Sequence, residues 1–125
     1  MGSKSREKGA RGEREAAKYL TKLGFECERN GRNGYSTDDL RLPGLPKVHV
    51  EVKFGYADMD IHTASLRNAL DQADKDAPLS QSICVLWRPL RKPWRLTWIQ
   101  SDGIARTTTG DYEIKTQLLM LNGGR

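Results

Sequence analysis

The sequence predicts an α/β domain in which one central mixed β-sheet is flanked by helices. Two observations lead there. The hydrophobic periodicity changes in kind along the chain, running helix, three strands, helix, two or three strands, helix, the order of a layered domain that mixes both elements. The 125 residues also contain no internal linker, repeat or low-complexity tract, and a chain of that length fills one core rather than two. A single domain over residues 1–125 is expected, with residues 1–8 as a flexible basic tail.

Each element has a local reason. From about Gly9 to Leu23 the residues Ala10, Ala16, Ala17, Tyr19, Leu20 and Leu23 share one side of a helix, and Gly24 can end it. "FECERN" reads as a strand and "GRNGYST" as a Gly/Asn/Ser loop. "DDLRL" resumes alternation, "PGLPK" turns the chain, and "VHVEVKF" is the second arm of a hairpin. "IHTASLRNALDQADKDA" carries an apolar helical stripe of Leu66, Ala69, Leu70, Ala73 and Ala77, and Pro78 ends it. "SICVLW" and "WRLTWI" flank the basic turn "RPLRKP" as a further hairpin; "SDG" turns, "IARTT" is a short strand, and "DYEIKTQLLML" is a helix closed by "NGG".

Charge narrows the class of partner. Lys and Arg number 21 against 16 Asp and Glu, a net charge of +5. The cations are also clustered: Lys4, Arg6, Lys8, Arg11 and Arg14 crowd the N-terminus, while Arg88, Arg91, Lys92 and Arg95 follow one another with no acid between them. Such clusters suit a phosphate backbone, a solvated basic face being the plain alternative. The chain lacks an apolar run of membrane-spanning length, and its polar, basic start has no secretory h-region, so an intracellular, cytoplasmic protein is expected. Cys27 and Cys84 make neither a disulfide framework nor a metal motif and are read as reduced thiols, Cys84 in the core.

The segment "HVEVKF" carries the chemistry. Alternation puts Val48, Val50 and Val52 on one face of the strand and His49, Glu51 and Lys53 on the other. Were the polar face solvated, as on many one-sided sheets, these residues would need no further explanation. Glu13 and Asp39 argue for more. Asp39 starts the preceding strand and could meet Glu51 across the hairpin at one hard cation such as Mg²⁺, which takes carboxylate, water and phosphate oxygens. Lys53, on the Glu51 face, could orient an attacking water or help deprotonate it. On a helix advancing ~100° per residue, Ala17, Leu20 and Ala16 fall within about 60° of Glu13, and Glu15 about 160° away. Glu13 thus borders the buried face, where a carboxylate needs a metal or an Arg, and Glu15 is expected to face solvent.

"GERE" on a first helix, an Asp before an apolar pair in "DDLRL", and then "VEVK" together resemble the PD-(D/E)XK nuclease superfamily. Within it, "KGARGEREAAKYLTKLGFECER" and the late "ICVLW…WRL" hairpin are similar to archaeal-type Holliday junction resolvases, found also in phages; the likeness spans roughly residues 8–100. The resemblance implies a restriction-endonuclease-like fold. It implies Glu13, Asp39, Glu51 and Lys53 as catalytic residues, the three acids as ligands of Mg²⁺ with Mn²⁺ able to replace it, and Lys8, Arg11, Arg14, Arg29 and Arg32 against DNA. It further implies a homodimer that cuts branched, four-way DNA by paired phosphodiester hydrolysis. Asp38 stands where the family often has Pro; Asp39 is preferred as the ligand because Asp38 shares the strand face of Leu40 and Leu42.

A second E-x-K, Glu113-Ile114-Lys115 with Asp102 upstream, is rejected, since Asp102 lies in a turn and Glu113 in a helix. His49 is read as a plain polar strand residue, and Trp87, Trp94 and Trp98 as core or interface. The alternatives are another nuclease of the superfamily (restriction, repair or nicking) or an inactive nucleic-acid-binding module.

Overall fold

Alternation of β-branched residues builds the longest strand, and the sheet is assembled around it. The computed structural model describes residues 3–29, 40–56, 64–76, 81–89, 91–100 and 102–123. In chain order its elements are α1 (Ser3–Lys22), β1 (Glu28–Arg29), β2 (Leu40–Arg41), β3 (Val48–Tyr56), α2 (Ala64–Asp76), β4 (Ser82–Pro89), β5 (Arg95–Ile99), β6 (Ala105–Thr109) and α3 (Asp111–Gly123). The strands form one six-stranded sheet in the order β1-β2-β3-β4-β5-β6. β3 and β4 pair parallel, with α2 as the crossover such a pair requires, and every other neighbouring pair is antiparallel. The fold is the expected α/β domain with a mixed sheet between helices.

The larger core lies on the face of β3 that carries Val48, Val50 and Val52. Ala16 and Leu20 of α1, Ile114 and Leu118 of α3, and Leu86, Leu96 and Trp98 of the sheet pack there. α1 approaches so closely that a Cβ on Gly12 would lie 2.7 Å from Phe54 Cβ; only glycine permits that crossing. The end of α1 follows from Gly24, whose φ of 103° only glycine adopts readily. Phe25 N donates to Leu20 O and Gly24 N to Thr21 O, both at 3.0 Å, a Schellman closure that brings Phe25 back onto the core. Tyr19 stacks on Trp94 with centroids 5.7 Å apart, and its hydroxyl donates to Asp111 at 2.9 Å, tying α1 to α3.

The opposite face is smaller and is covered by α2. Ala69 and Leu70 pack there on Val85 and Trp87. Trp87 Nε1 donates to Thr97 Oγ1 at 2.8 Å, and Thr97 shares a hydrogen bond of 2.7 Å with Thr107, so the indole N–H and the fully buried Thr97 hydroxyl are both satisfied.

Two differences from the sequence reading have physical causes. α1 begins at Ser3, over residues read as a flexible tail, because Lys, Arg and Glu are good helix formers even where no apolar stripe marks them. Among the described residues of "FECERN" Glu28 and Arg29 alone join the sheet, since Phe25 and Cys27 are spent on packing beneath the turn that closes α1.

Both cysteines are free. Complete burial pushes the Cys84 thiol from 9.0 up to about 12, and partial burial raises that of Cys27 against a hydrogen bond with Thr21. Because the folded value of Cys84 lies above the unfolded one, its contribution to stability is complete below about pH 9 and is lost as pH rises toward 12. A thiol reagent at pH 8 is therefore expected to modify at most one thiol per native chain and two after denaturation. Alkaline loss of stability above pH 9 should be shallower in Cys84→Ala. Two fast thiols in the native chain would contradict the burial of Cys84.

Candidate active site

Within β3 the alternation holds, but the polar face is not solvated. The side chain of His49 is completely buried and that of Glu51 is 8% exposed, with His49 Nε2 3.7 Å from Glu51 Oε1. That separation is beyond hydrogen-bonding distance and is an electrostatic contact. The face turns inward because α2, the crossover between two parallel strands, must lie against the sheet it connects. A carboxylate held there is costly unless a partner or a cation compensates it, so a solvated strand face no longer accounts for Glu51. Lys53 follows on the same face and is half-buried.

Lateral register extends this face across the sheet. Glu51 is level with Val85, Thr97 and Thr107, and Lys53 with Trp87, Arg95 and Thr109. Arg95 lies over the Trp87 ring, 5.2 Å from its centroid. Among the described residues no carboxylate pairs with Lys53.

Glu13 stands elsewhere. It is half-buried on α1, next to the Gly12 that abuts Phe54, so its helix covers the face opposite to that of Glu51. Glu15, expected to face solvent, is itself partly covered at 35% side-chain exposure, with Lys18 Nζ 4.0 Å away. Arg14 is exposed, and Arg11, also exposed, sits over the Phe54 ring at 5.6 Å. Lys8 belongs to α1 and Arg29 to β1. Asp38, Asp39 and Arg32 lie outside the described residues.

Among the described residues no three His, Cys, Asp or Glu side chains gather to hold a metal ion; the described part of the candidate site supplies one buried carboxylate. That donor suits a hard divalent cation, because Mg²⁺ is commonly bound through one or two carboxylates and completes its shell with waters and phosphate oxygens. The second E-x-K behaves as expected: Glu113 is on α3, and Asp102 is in a turn, accepting from Ile104 N at 3.0 Å and Arg106 Nη2 at 2.7 Å. Those hydrogen bonds, the one from the Ile104 amide foremost, lower the Asp102 pKa.

The sequence reading undervalued His49. It treated the residue as a plain polar strand position, whereas the structure buries it beside Glu51. The available signal was the i, i+2 spacing of His49 and Glu51 on one face combined with the apolar stripe of α2, which needed a sheet face to cover. All three tryptophans are buried, as core positions would be.

No family model matches the chain, and no curated protein matches it significantly. Among solved structures it is similar to Hjc, a Holliday junction resolvase from the archaeal hyperthermophile Archaeoglobus fulgidus. The two are 20% identical, the match covers 77% of this chain and 84% of that one, and the TM-score is 0.47.

Proposed function

We propose that this chain is a metal-dependent, structure-selective DNA endonuclease that resolves four-way junctions by paired phosphodiester hydrolysis, one cut from each copy of a homodimer. The observation that carries the reading is the buried Glu51 carboxylate on β3, with Lys53 following on the same strand face. The sequence pattern "GERE", "DDLRL", "VEVK" and the basic clusters support it from independent directions.

In this mechanism Glu51 and Asp39 hold the cation, and Glu13, on the helix that covers the opposite face of β3, is left out of its ligand set. Asp39 is bonded to Leu40, whose Cα partner is Val50, the residue before Glu51. Mg²⁺, or Mn²⁺ in its place, supplies positive charge to a phosphate oxygen and acidity to water when bound. Lys53 orients the attacking water and assists its deprotonation. The new P–O bond forms as the bond to O3′ breaks, and a proton ends on the departing oxygen, leaving a 5′-phosphate and a 3′-hydroxyl. Lys8, Arg11, Arg14, Arg29 and Arg32 neutralise backbone phosphates, so affinity falls steeply with salt and carries little base readout.

The test is cleavage of a labelled four-way junction and of a linear duplex containing the same arms, with Mg²⁺ and with EDTA. Symmetric nicks on the junction alone, abolished by EDTA, are expected. Equal cutting of the duplex would retain a nuclease of the same superfamily and remove junction selectivity. Junction binding without cutting under any divalent cation would leave a binding module.

A further inference from the structure

We propose that the hairpin joining β4 to β5, together with the sheet row leading into it, is a second phosphate-binding surface that holds a DNA arm beside the candidate cleavage site. The inference rests on the nuclease reading and assigns a surface outside Lys8, Arg11, Arg14, Arg29 and Arg32.

Three features converge. The row Lys53, Trp87, Arg95 lies at one level on one face. With neighbouring strands ~4.8 Å apart, Lys53 and Arg95 are separated by about 10 Å at the backbone. Trp87 serves as a platform that fixes the Arg95 guanidinium, and Arg95 Nε is buried with no hydrogen-bond partner among the described residues.

The turn itself is braced. Arg88 Nε donates to Lys92 O at 2.8 Å, and Arg91 adopts a left-handed φ of 62°. Arg91 and Lys92 are exposed.

Among the described residues some surface cations are matched with acids: Arg106 meets Asp102, Arg41 meets Glu28, Lys18 meets Glu15 and Lys22 meets Asp111. Arg11, Arg14, Lys47, Arg67, Lys75 and Lys115 are exposed and, like the hairpin cations, have no acid paired with them among the described residues. Among the described residues no acid pairs with Arg91, Lys92 or Arg95. Uncompensated positive charge on a rigid turn, at the end of the sheet toward which β3 runs, is complementary to a polyanion.

The experiment measures junction and duplex affinity in EDTA over a range of salt concentrations. It compares the native chain, the double variant Arg91→Asn with Lys92→Gln, Arg95→Gln, and a control that removes two paired cations, Lys18→Gln with Lys22→Gln. Asn tolerates the left-handed backbone at position 91. The hairpin double variant should bind both DNAs more weakly and lower the slope of log affinity against log salt by about 2, Arg95→Gln by about 1, while the control stays within about twofold of native. Unchanged affinity and slope in the hairpin variants, with native cleavage intact, would overturn the inference and leave the nuclease reading standing. Equal losses in the control would also overturn it, since net charge alone would then explain binding. A lowered slope in the hairpin variants, when the native chain cleaves no DNA with any divalent cation, would support the surface and remove the nuclease.

Discussion

Glu51→Gln is expected to lower Mg²⁺-dependent junction cleavage by about 10²–10⁴-fold, the range of a lost catalytic group, while leaving the fold and metal-free junction binding in place. The amide has nearly the volume of the carboxylate, so the packing under α2 has no reason to change. What disappears is the negative charge, and with it both the attraction to a divalent cation and the electrostatic contact to His49 Nε2 at 3.7 Å. Lys53→Gln should reduce cleavage over a similar range with little effect on folding, because Lys53 is half-buried and has no acid partner among the described residues. Circular dichroism and junction binding in EDTA separate these outcomes from misfolding. Native-like cleavage by Glu51→Gln would move the active site off β3.

The largest effect on stability is expected from Trp87→Ala, at about 3–5 kcal/mol. Trp87 is 1% exposed and joins Ala69, Leu70 and Val85 in the core beneath α2. Its indole also satisfies Thr97 and supports Arg95. Truncation opens a cavity between helix and sheet and removes one donor from a buried polar chain. Trp87→Phe keeps most of the apolar volume, so its cost should be smaller, dominated by the lost hydrogen bond at about 0.5–1.5 kcal/mol. Urea unfolding checks both through a shift of the midpoint at unchanged slope. A cost below about 1 kcal/mol for Trp87→Ala would mean that the α2 face is loosely packed and that Glu51 is not held in a tight environment.

What was legible in the sequence is what local geometry determines. Alternation along "VHVEVKF" assigned each side chain of β3 to its face without reference to any other strand, because the pleat alone sets that period. Gly24 marked the end of α1, since few other residues tolerate its backbone. The rejected Glu113-Ile114-Lys115 was excluded by helical patterning alone. The apolar side of α1 and the hairpin of β4 and β5 follow from the same short-range rules.

Contacts distant in sequence were decided by the tertiary structure. Whether the polar face of β3 meets water or protein depends on where α2 crosses, and that crossing buries His49 and Glu51 together. The same applies to the placement of Glu13: its position at the edge of the apolar stripe was readable, but that α1 lies on the face opposite to Glu51 was not. The row of Lys53, Trp87 and Arg95 exists only because β3 and β4 pair parallel in one register and β5 returns antiparallel beside them. Local periodicity specifies which way a side chain points relative to its own strand; only packing between elements decides what it points into.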